Sequence, residues 1–301
     1  MMAVYNLGSI NIDHVYQVPH LPAPGETLTA LSYAMGLGGK GGNQSVAAAR
    51  AGARALHIGA VGAEGAWARA ALAGYGVDIS HVTVGPVPTG HAIINVDPKA
   101  ENSIVIYSGA NQTLDEAAIS AALAGASTGD TLLLQNETSG QVIAARLAAA
   151  HGMRVVYSAA PFDLAAVQAV LPYATLLVMN EGEAAQLRAG LGALPATDTI
   201  ITKGAQGAEW LCAGFEPLFV PAFRGDAHRY HRRGRLLYRY SGGSVGCRPG
   251  PFLRDAARRG GGGDSGYPPR RRAGDADRSG GGRVFTLSTW RQTARRHPRA
   301  F

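Results

Sequence analysis

Two short strings in the first fifty residues carry the side-chain types that a polar ligand needs. Asn11-Ile12-Asp13 follows an apolar run, Val4 to Ile10, that reads as a strand. The carboxyl ends of strands in an α/β sheet open onto the ligand crevice, so an amide and a carboxylate there can hydrogen-bond vicinal hydroxyls. The same pair is also a common turn former. The second string is Gly38-Gly39-Lys40-Gly41-Gly42-Asn43, which runs into a helical stretch from Asn43 to Ala51. Its glycines permit close backbone approach and positive φ, and the helix N-terminus adds a field that favours oxygen ligands. It is not a Walker A loop, because the glycine spacing before Lys40 is wrong and no Ser or Thr follows it. Composition alone leaves two readings open, a ligand cradle or a Gly-rich turn from Gly36 to Gly42 capped by Asn43.

The elements that would position these strings alternate short aliphatic runs with Ala-rich stretches, the pattern of a mostly parallel sheet with crossover helices. His57 to Val61, Thr131 to Gln135, Val155 to Ser158, Leu176 to Met179, Thr199 to Thr202 and Leu218 to Phe223 read as strands. Ala66 to Ala73, Gln141 to His151, Leu164 to Leu171 and Glu181 to Ala189 read as helices. Four other runs, Asp13 to Val18, Thr27 to Ala34, His91 to Val96 and Ser103 to Tyr107, alternate apolar and polar side chains without helices between partners. They suit a small antiparallel sheet with one wet face, a lid built from about 13–37 and 91–107. The expected fold is therefore α/β, a Rossmann-like sheet flanked by helices with a β lid.

At this point the sequence resembles a known family. Gly38 to Ala53, read as Gly-Gly-Lys-Gly-Gly-Asn-Gln-Ser-Val-Ala-Ala-Ala-Arg-Ala-Gly-Ala, is similar to the first signature of the ribokinase branch of the phosphofructokinase B carbohydrate kinases. Pro22 to Thr27 and Gly109-Ala110-Asn111 also match segments of that branch, and the likeness runs nearly without a gap to Arg224. It implies an ATP-dependent sugar kinase in which Asn11, Asp13, Gly39, Lys40, Gly41, Gly42, Asn43 and Glu137 contact the sugar. Asn180-Glu181-Gly182-Glu183 is similar to the family's Asn-x-x-Glu element, which would place Asn180 near the nucleotide phosphates and Glu183 on hydrated Mg²⁺ through water. Without the family these two are an N-cap and its N3 glutamate. Thr202-Lys203-Gly204-Ala205-Gln206-Gly207 resembles the family's ATP-contacting turn. The implied co-substrate is ATP with Mg²⁺, a monovalent cation such as K⁺ is an open further requirement, and the implied assembly is a homodimer through the lid.

One expected part is missing. Phosphoryl transfer needs a base for the attacking hydroxyl and an anion hole for the moving group. The family draws both from a late motif similar to Asp-Thr-Thr-Gly-Ala-Gly-Asp, and no such string occurs in this sequence. The codons of His228 to Arg235, read from their second positions, are nevertheless compatible with Thr-Asp-Thr-Thr-Gly-Ala-Gly-Asp. The same displacement of Gly260 to Arg270 is compatible with Ala-Ala-Ala-Ala-Ile-Ala-Val-Thr-Arg-Arg-Gly, which resembles the family's late helix. Residues 1–224 thus read as a kinase body, and 225–301 as an Arg- and Gly-rich tail displaced by one base near the codon for Gly225.

The charge distribution agrees. The chain is +7 overall, but residues 225–301 hold 18 Arg and 5 Asp, a net of +13, while 1–224 carry −6. The basic character belongs to the tail alone, which has no recognised nucleic-acid fold and would bind polyanions only nonspecifically. A noncatalytic sugar-binding protein, a kinase for another sugar or nucleoside, and a nucleic-acid binder acting through the tail are the alternatives. Two cysteines, Cys212 and Cys247, are too few for a disulfide framework and read as incidental. No charged stretch leads into an apolar h-region and no apolar run nears the roughly 18 residues of a membrane span, so a cytoplasmic location is expected.

Overall fold

The computed structural model describes residues 2–222. The expected tail, 225–301, and the codon-displaced motif within it lie outside the described residues. Strands β1 (Ala3–Leu7), β4 (Arg54–Gly62), β5 (Asp78–Gly85), β8 (Thr131–Gln135), β9 (Arg154–Ser158), β10 (Leu176–Asn180), β11 (Asp198–Thr202), β12 (Gly207–Leu211) and β13 (Leu218–Pro221) form one sheet in the order β13-β12-β11-β10-β9-β8-β1-β4-β5. All neighbours from β5 to β11 pair in parallel, and β12 and β13 close the far edge antiparallel. Such a sheet is covered by crossover helices. These are α1 (Lys40–Arg50), α2 (Ala66–Gly74), α3 (Glu116–Leu123), α4 (Gln141–Ala150), α5 (Leu164–Val170) and α6 (Glu181–Leu191).

Two apolar clusters fix the helices to the sheet. Ile119 and Leu123 of α3, Ala144, Ala145 and Ala148 of α4, Val167 of α5 and Leu187 of α6 pack with Leu7, Leu132, Leu134, Tyr157 and Leu177 of the strands. The small alanines of α4 let that helix lie close over the sheet, and each fully buried Leu contributes about 1.5–3 kcal/mol. Val46 of α1 and Ala68 and Leu72 of α2 pack with Val61 and Val82 around Ile10. This second cluster seats α1, whose N-terminal turn carries the glycine string.

The sheet expected as a lid is separate and four-stranded, β3-β2-β6-β7, built from β2 (Asn11–Gln17), β3 (Ser32–Gly38), β6 (Gly90–Val96) and β7 (Asn102–Tyr107). Its two outer pairs are antiparallel, and its central pair, β2 with β6, is parallel. The chain from Thr27 to Ala30 is not strand, and β3 begins at Ser32 and continues into the glycine string as far as Gly38. The alternation that suggests Thr27 to Ala34 therefore places this strand several residues early. Helix α1 likewise begins at Lys40, so Asn43 lies inside its first turn. The N-cap is Gly39, at φ 84°, and no side chain caps the helix. The sequence reading that makes Asn43 the cap is corrected here: a cap precedes the helix, and that place is held by Gly39, whose positive φ glycine adopts readily.

Candidate functional site

Parallel strands deliver their carboxyl ends to one edge of the sheet, and four of the sequence-derived elements meet there. The chain leaves β1 through Gly8 and Ser9, leaves β8 through Asn136 and Glu137, and leaves β10 and β11 at Asn180 and Thr202. Glu137 is the hub. Its carboxylate accepts from Lys40 Nζ at 2.5 Å, from the Lys40 backbone N–H at 3.0 Å and from the Ser9 hydroxyl. The Lys40 and Glu137 side chains are 29% and 12% exposed, so the pair is shielded without being sealed.

Ser9, a residue the sequence reading passes over, is fully buried and works in both directions. Its carbonyl accepts from Gly42 N at 2.8 Å, and its hydroxyl, besides donating to Glu137, accepts weakly from Gly41 N at 3.3 Å. The glycines are required by this contact. A Cβ on Gly39 would lie 2.6 Å from the Ser9 carbonyl oxygen, and one on Gly41 would collide with the Gly8 backbone. Ser9 could be found only through this backbone contact, since a Ser after a Gly carries no signal of its own.

Asn11 is 5% exposed and its Oδ1 accepts from Asn111 Nδ2 at 2.8 Å, while Asn111 Oδ1 accepts from Ile10 N at 3.0 Å. Asn111 thus braces the start of β2 from a short 3-10 turn at Gly109–Gln112. Asp13 follows on β2, opposite Gly36 on β3, and its carboxylate lies so close to Gly38 that no side chain fits there. Asn43 is half-buried in the first turn of α1. The eight sugar-site residues named from the sequence therefore come from β2, the β3–α1 junction and the end of β8, around one edge.

The other half lies over β10 and β11. Asn180 caps α6 by accepting from Glu183 N at 2.9 Å, while Glu183 Oε2 accepts from Asn180 N at 2.7 Å. Burial pushes the Glu183 carboxyl above its ordinary range, opposed by the Asn180 N–H and by the positive charge of Lys40. That last influence joins the two halves electrostatically. Asn180 pairs directly with Thr202 in the sheet register. From Thr202 the chain turns through Lys203, Gly204, Ala205 and Gln206 into Gly207, held by Lys203 N to Gly207 O at 2.8 Å and Gln206 N to Lys203 O at 3.0 Å. Gly204 and Gly207 have φ of 55° and 128°, so the turn depends on both. Lys203 Nζ is paired with Glu209 at 2.8 Å.

Among the described residues no three His, Cys, Asp or Glu side chains gather into a metal cluster. A single carboxylate with one oxygen engaged by a backbone N–H suits a metal ion that keeps its own waters, and Glu183 fits that description. No helix among the described residues is long and apolar enough to cross a membrane.

The sequence profile of the pfkB family of carbohydrate kinases matches residues 3–226. A ribokinase of Haemophilus influenzae is 43% identical over 183 residues, a stretch covering 59% of this chain and 60% of that protein. The chain thus spans less than two thirds of that relative. A deoxyribokinase of Salmonella typhimurium is 30% identical over 250 residues, covering 75% of this chain and 80% of that protein. Among solved structures, a ribokinase from Cryptococcus neoformans in complex with ADP superposes with a TM-score of 0.70 at 26% identity, covering 86% of this chain and 91% of that one. With the family profile matched over most of its length, and its glycine string and Asn-x-x-Glu element at the carboxyl edge of one sheet, this chain belongs to the pfkB family of carbohydrate kinases.

Proposed function

We propose that residues 1–224 form the body of an ATP-dependent pentose kinase, with ribose as the sugar and its primary hydroxyl as the acceptor. The observation that carries this reading is the meeting of Lys40 and Ser9 on Glu137 beside Asn11 and Asp13, a set of donors and acceptors suited to a polyhydroxylated ring. Asn11, Asp13, Asn43 and Glu137 orient the hydroxyls, and Gly39, Gly41 and Gly42 let the sugar approach the backbone. The lid sheet excludes water while the groups are held in line. Asn180 and the turn from Thr202 through Lys203, Gly204, Ala205 and Gln206 to Gly207 hold the nucleotide. Glu183 holds Mg²⁺ through water, and the ion when bound neutralises charge on the phosphate oxygens. The 43% identity to a ribokinase favours ribose, and the similarity to a deoxyribokinase makes 2-deoxyribose the first alternative to test.

The chain as written lacks the family's late Asp motif, which would supply the base for the attacking hydroxyl. The reading is therefore a sugar-binding kinase body that binds but does not turn over, with the base restored by correcting the frame near Gly225. Resequencing that codon tests the frame directly, and an unambiguous read of the present tail removes it. For the protein, ribose should give binding heat that Asp13→Ala abolishes, with negligible phosphorylation. Turnover matching an intact relative would refute the assignment of the missing base, and no heat with any pentose would refute the sugar site.

A further inference from the structure

Behind the candidate sugar site lies a chain of buried polar side chains that phosphoryl transfer does not use. Asn6 on β1, Gln135 on β8, Gln44 and Ser45 on α1 and His57 on β4 are each no more than 4% exposed. Their hydrogen bonds have one consistent direction. Gly8 O can only accept, so His57 Nε2, 3.0 Å away, must carry the ring proton. Nδ1 is then an acceptor and takes the Ser45 hydroxyl proton at 2.8 Å. Ser45 Oγ in turn accepts from Asn6 Nδ2 at 2.9 Å, and the second Nδ2 hydrogen goes to Gly41 O at 2.8 Å. Asn6 Oδ1 accepts from Gln135 Nε2 at 2.9 Å, whose other hydrogen goes to Gln44 Oε1 at 2.6 Å.

We infer that this relay positions the candidate sugar site: it clamps the first turn of α1, and with it Lys40 and Asn43, against the end of β1, with Asn6 and His57 as positioning residues. Ser9 and Glu137 hold the front of this turn, and the relay holds its opposite side. Gly39 provides no side-chain cap, and the backbones meet so closely that a Cβ on Gly8 would lie 2.5 Å from Gly41 Cα and 2.5 Å from Gln135 Oε1. On that opposite side, Asn6 holds Gly41 O directly, and His57 and Gln135 reach Ser45 and Gln44 just behind it. In a dry interior such a network is strong when each donor is matched, and losing one link strands the next. Burial holds the His57 imidazole neutral, near a pKa of about 4, with no charged neighbour contributing. A second ring proton would leave the Ser45 hydroxyl proton without its acceptor.

The functional consequence rests on the pentose-site reading, whereas the structural one can be measured without any ligand. Amide hydrogen exchange at Gly42 and Asn43, whose N–H groups bond to Ser9 O and Gly39 O, reads the position of the turn directly. In the full chain, His57→Phe keeps a planar ring, slightly larger, and removes both hydrogen bonds, and should lower protection at these two amides at least tenfold relative to those of β10. His57→Gln, which offers one donor and one acceptor, should restore most of it. Val167→Ala, a cavity in the other cluster, should lower protection evenly. Ser45→Ala cuts the relay with a smaller change and should show the same local loss if His57→Phe does not fold. A loss from His57→Phe or Ser45→Ala that is even across the sheet, or absent, overturns the inference. Ribose calorimetry gives the second readout: His57→Phe should weaken binding at least tenfold, with Val167→Ala unchanged, and equal effects of the two overturn positioning. If the unaltered chain binds no pentose, the sugar reading falls, and exchange alone still decides the clamp.

Discussion

His57 makes the stability of this protein pH-dependent in a way that can be sized from its surroundings. Full burial lowers its pKa from the ordinary 6.5 to about 4, against the weaker opposing pull of Gly8 O. As pH falls, the unfolded chain takes up the proton first, so the unfolded state is favoured. Stability from this group is fully present above about 6.5 and is lost as pH falls from there to about 4. A separation of about 2.5 pH units corresponds to about 3 kcal/mol, of which about 2 kcal/mol is lost between pH 7 and 4.5. The perturbation is His57→Gln, which keeps a donor for Gly8 O and an acceptor for Ser45 but cannot titrate. The assay is urea unfolding of both full-length proteins at pH 7 and 4.5, with the slope checked for constancy. Carboxylates held below their ordinary range, such as Glu64 and Asp78, lose stability over part of the same window in both proteins and cancel in the difference. The unaltered protein should lose about 2 kcal/mol more than the variant over this interval. Parallel losses, within about 0.5 kcal/mol, would refute the assignment of a buried neutral imidazole.

Removing the hub should be costly in two measurements at once. Glu137→Ala strands Lys40 and the Ser9 hydroxyl, and is expected to lower unfolding free energy by about 2–4 kcal/mol and abolish ribose heat. Retained binding at unaltered affinity would contradict the site. Gly39→Ala meets both a strained φ of 84° and the Ser9 carbonyl, so denaturation should show a loss of about 2 kcal/mol or more. Asn180→Ala removes the cap of α6 and should cost about 1 kcal/mol, with Asn180→Asp near neutral; equal losses would mean the cap is not what the residue supplies.

Much of the fold was legible in the sequence because its signals are local. The strand at Thr131–Gln135, the helix starts at Gln141, Leu164 and Glu181 and the capping pair Asn180–Glu183 each follow from runs of a few residues and coincide with the structure. The lid strand β3 did not, since its middle residues, Ala34 and Gly36, give alternation little contrast, and its pairing with β2 from Asn11 to Gln17 sets the register instead. β5, α3 and β12 lie in stretches that the sequence reading leaves unassigned. The start of α1 was misplaced for a similar reason: four glycines allow many turns, and contacts with Ser9, Glu137 and Asn6 select one.

The sequence by itself determined the family, the glycine string that permits close approach, and the absence of the late Asp motif, because each is a property of contiguous residues. Only the tertiary structure decided which side chains share an environment. Lys40 and Ser9 meet Glu137 from 97 and 128 residues away, and His57 reaches β1 through Ser45 in the middle of a buried chain. Parallel strands bring their carboxyl ends to one edge irrespective of chain separation, and burial then makes each hydrogen bond there decisive. Neither effect is written in the spacing of residues along the chain.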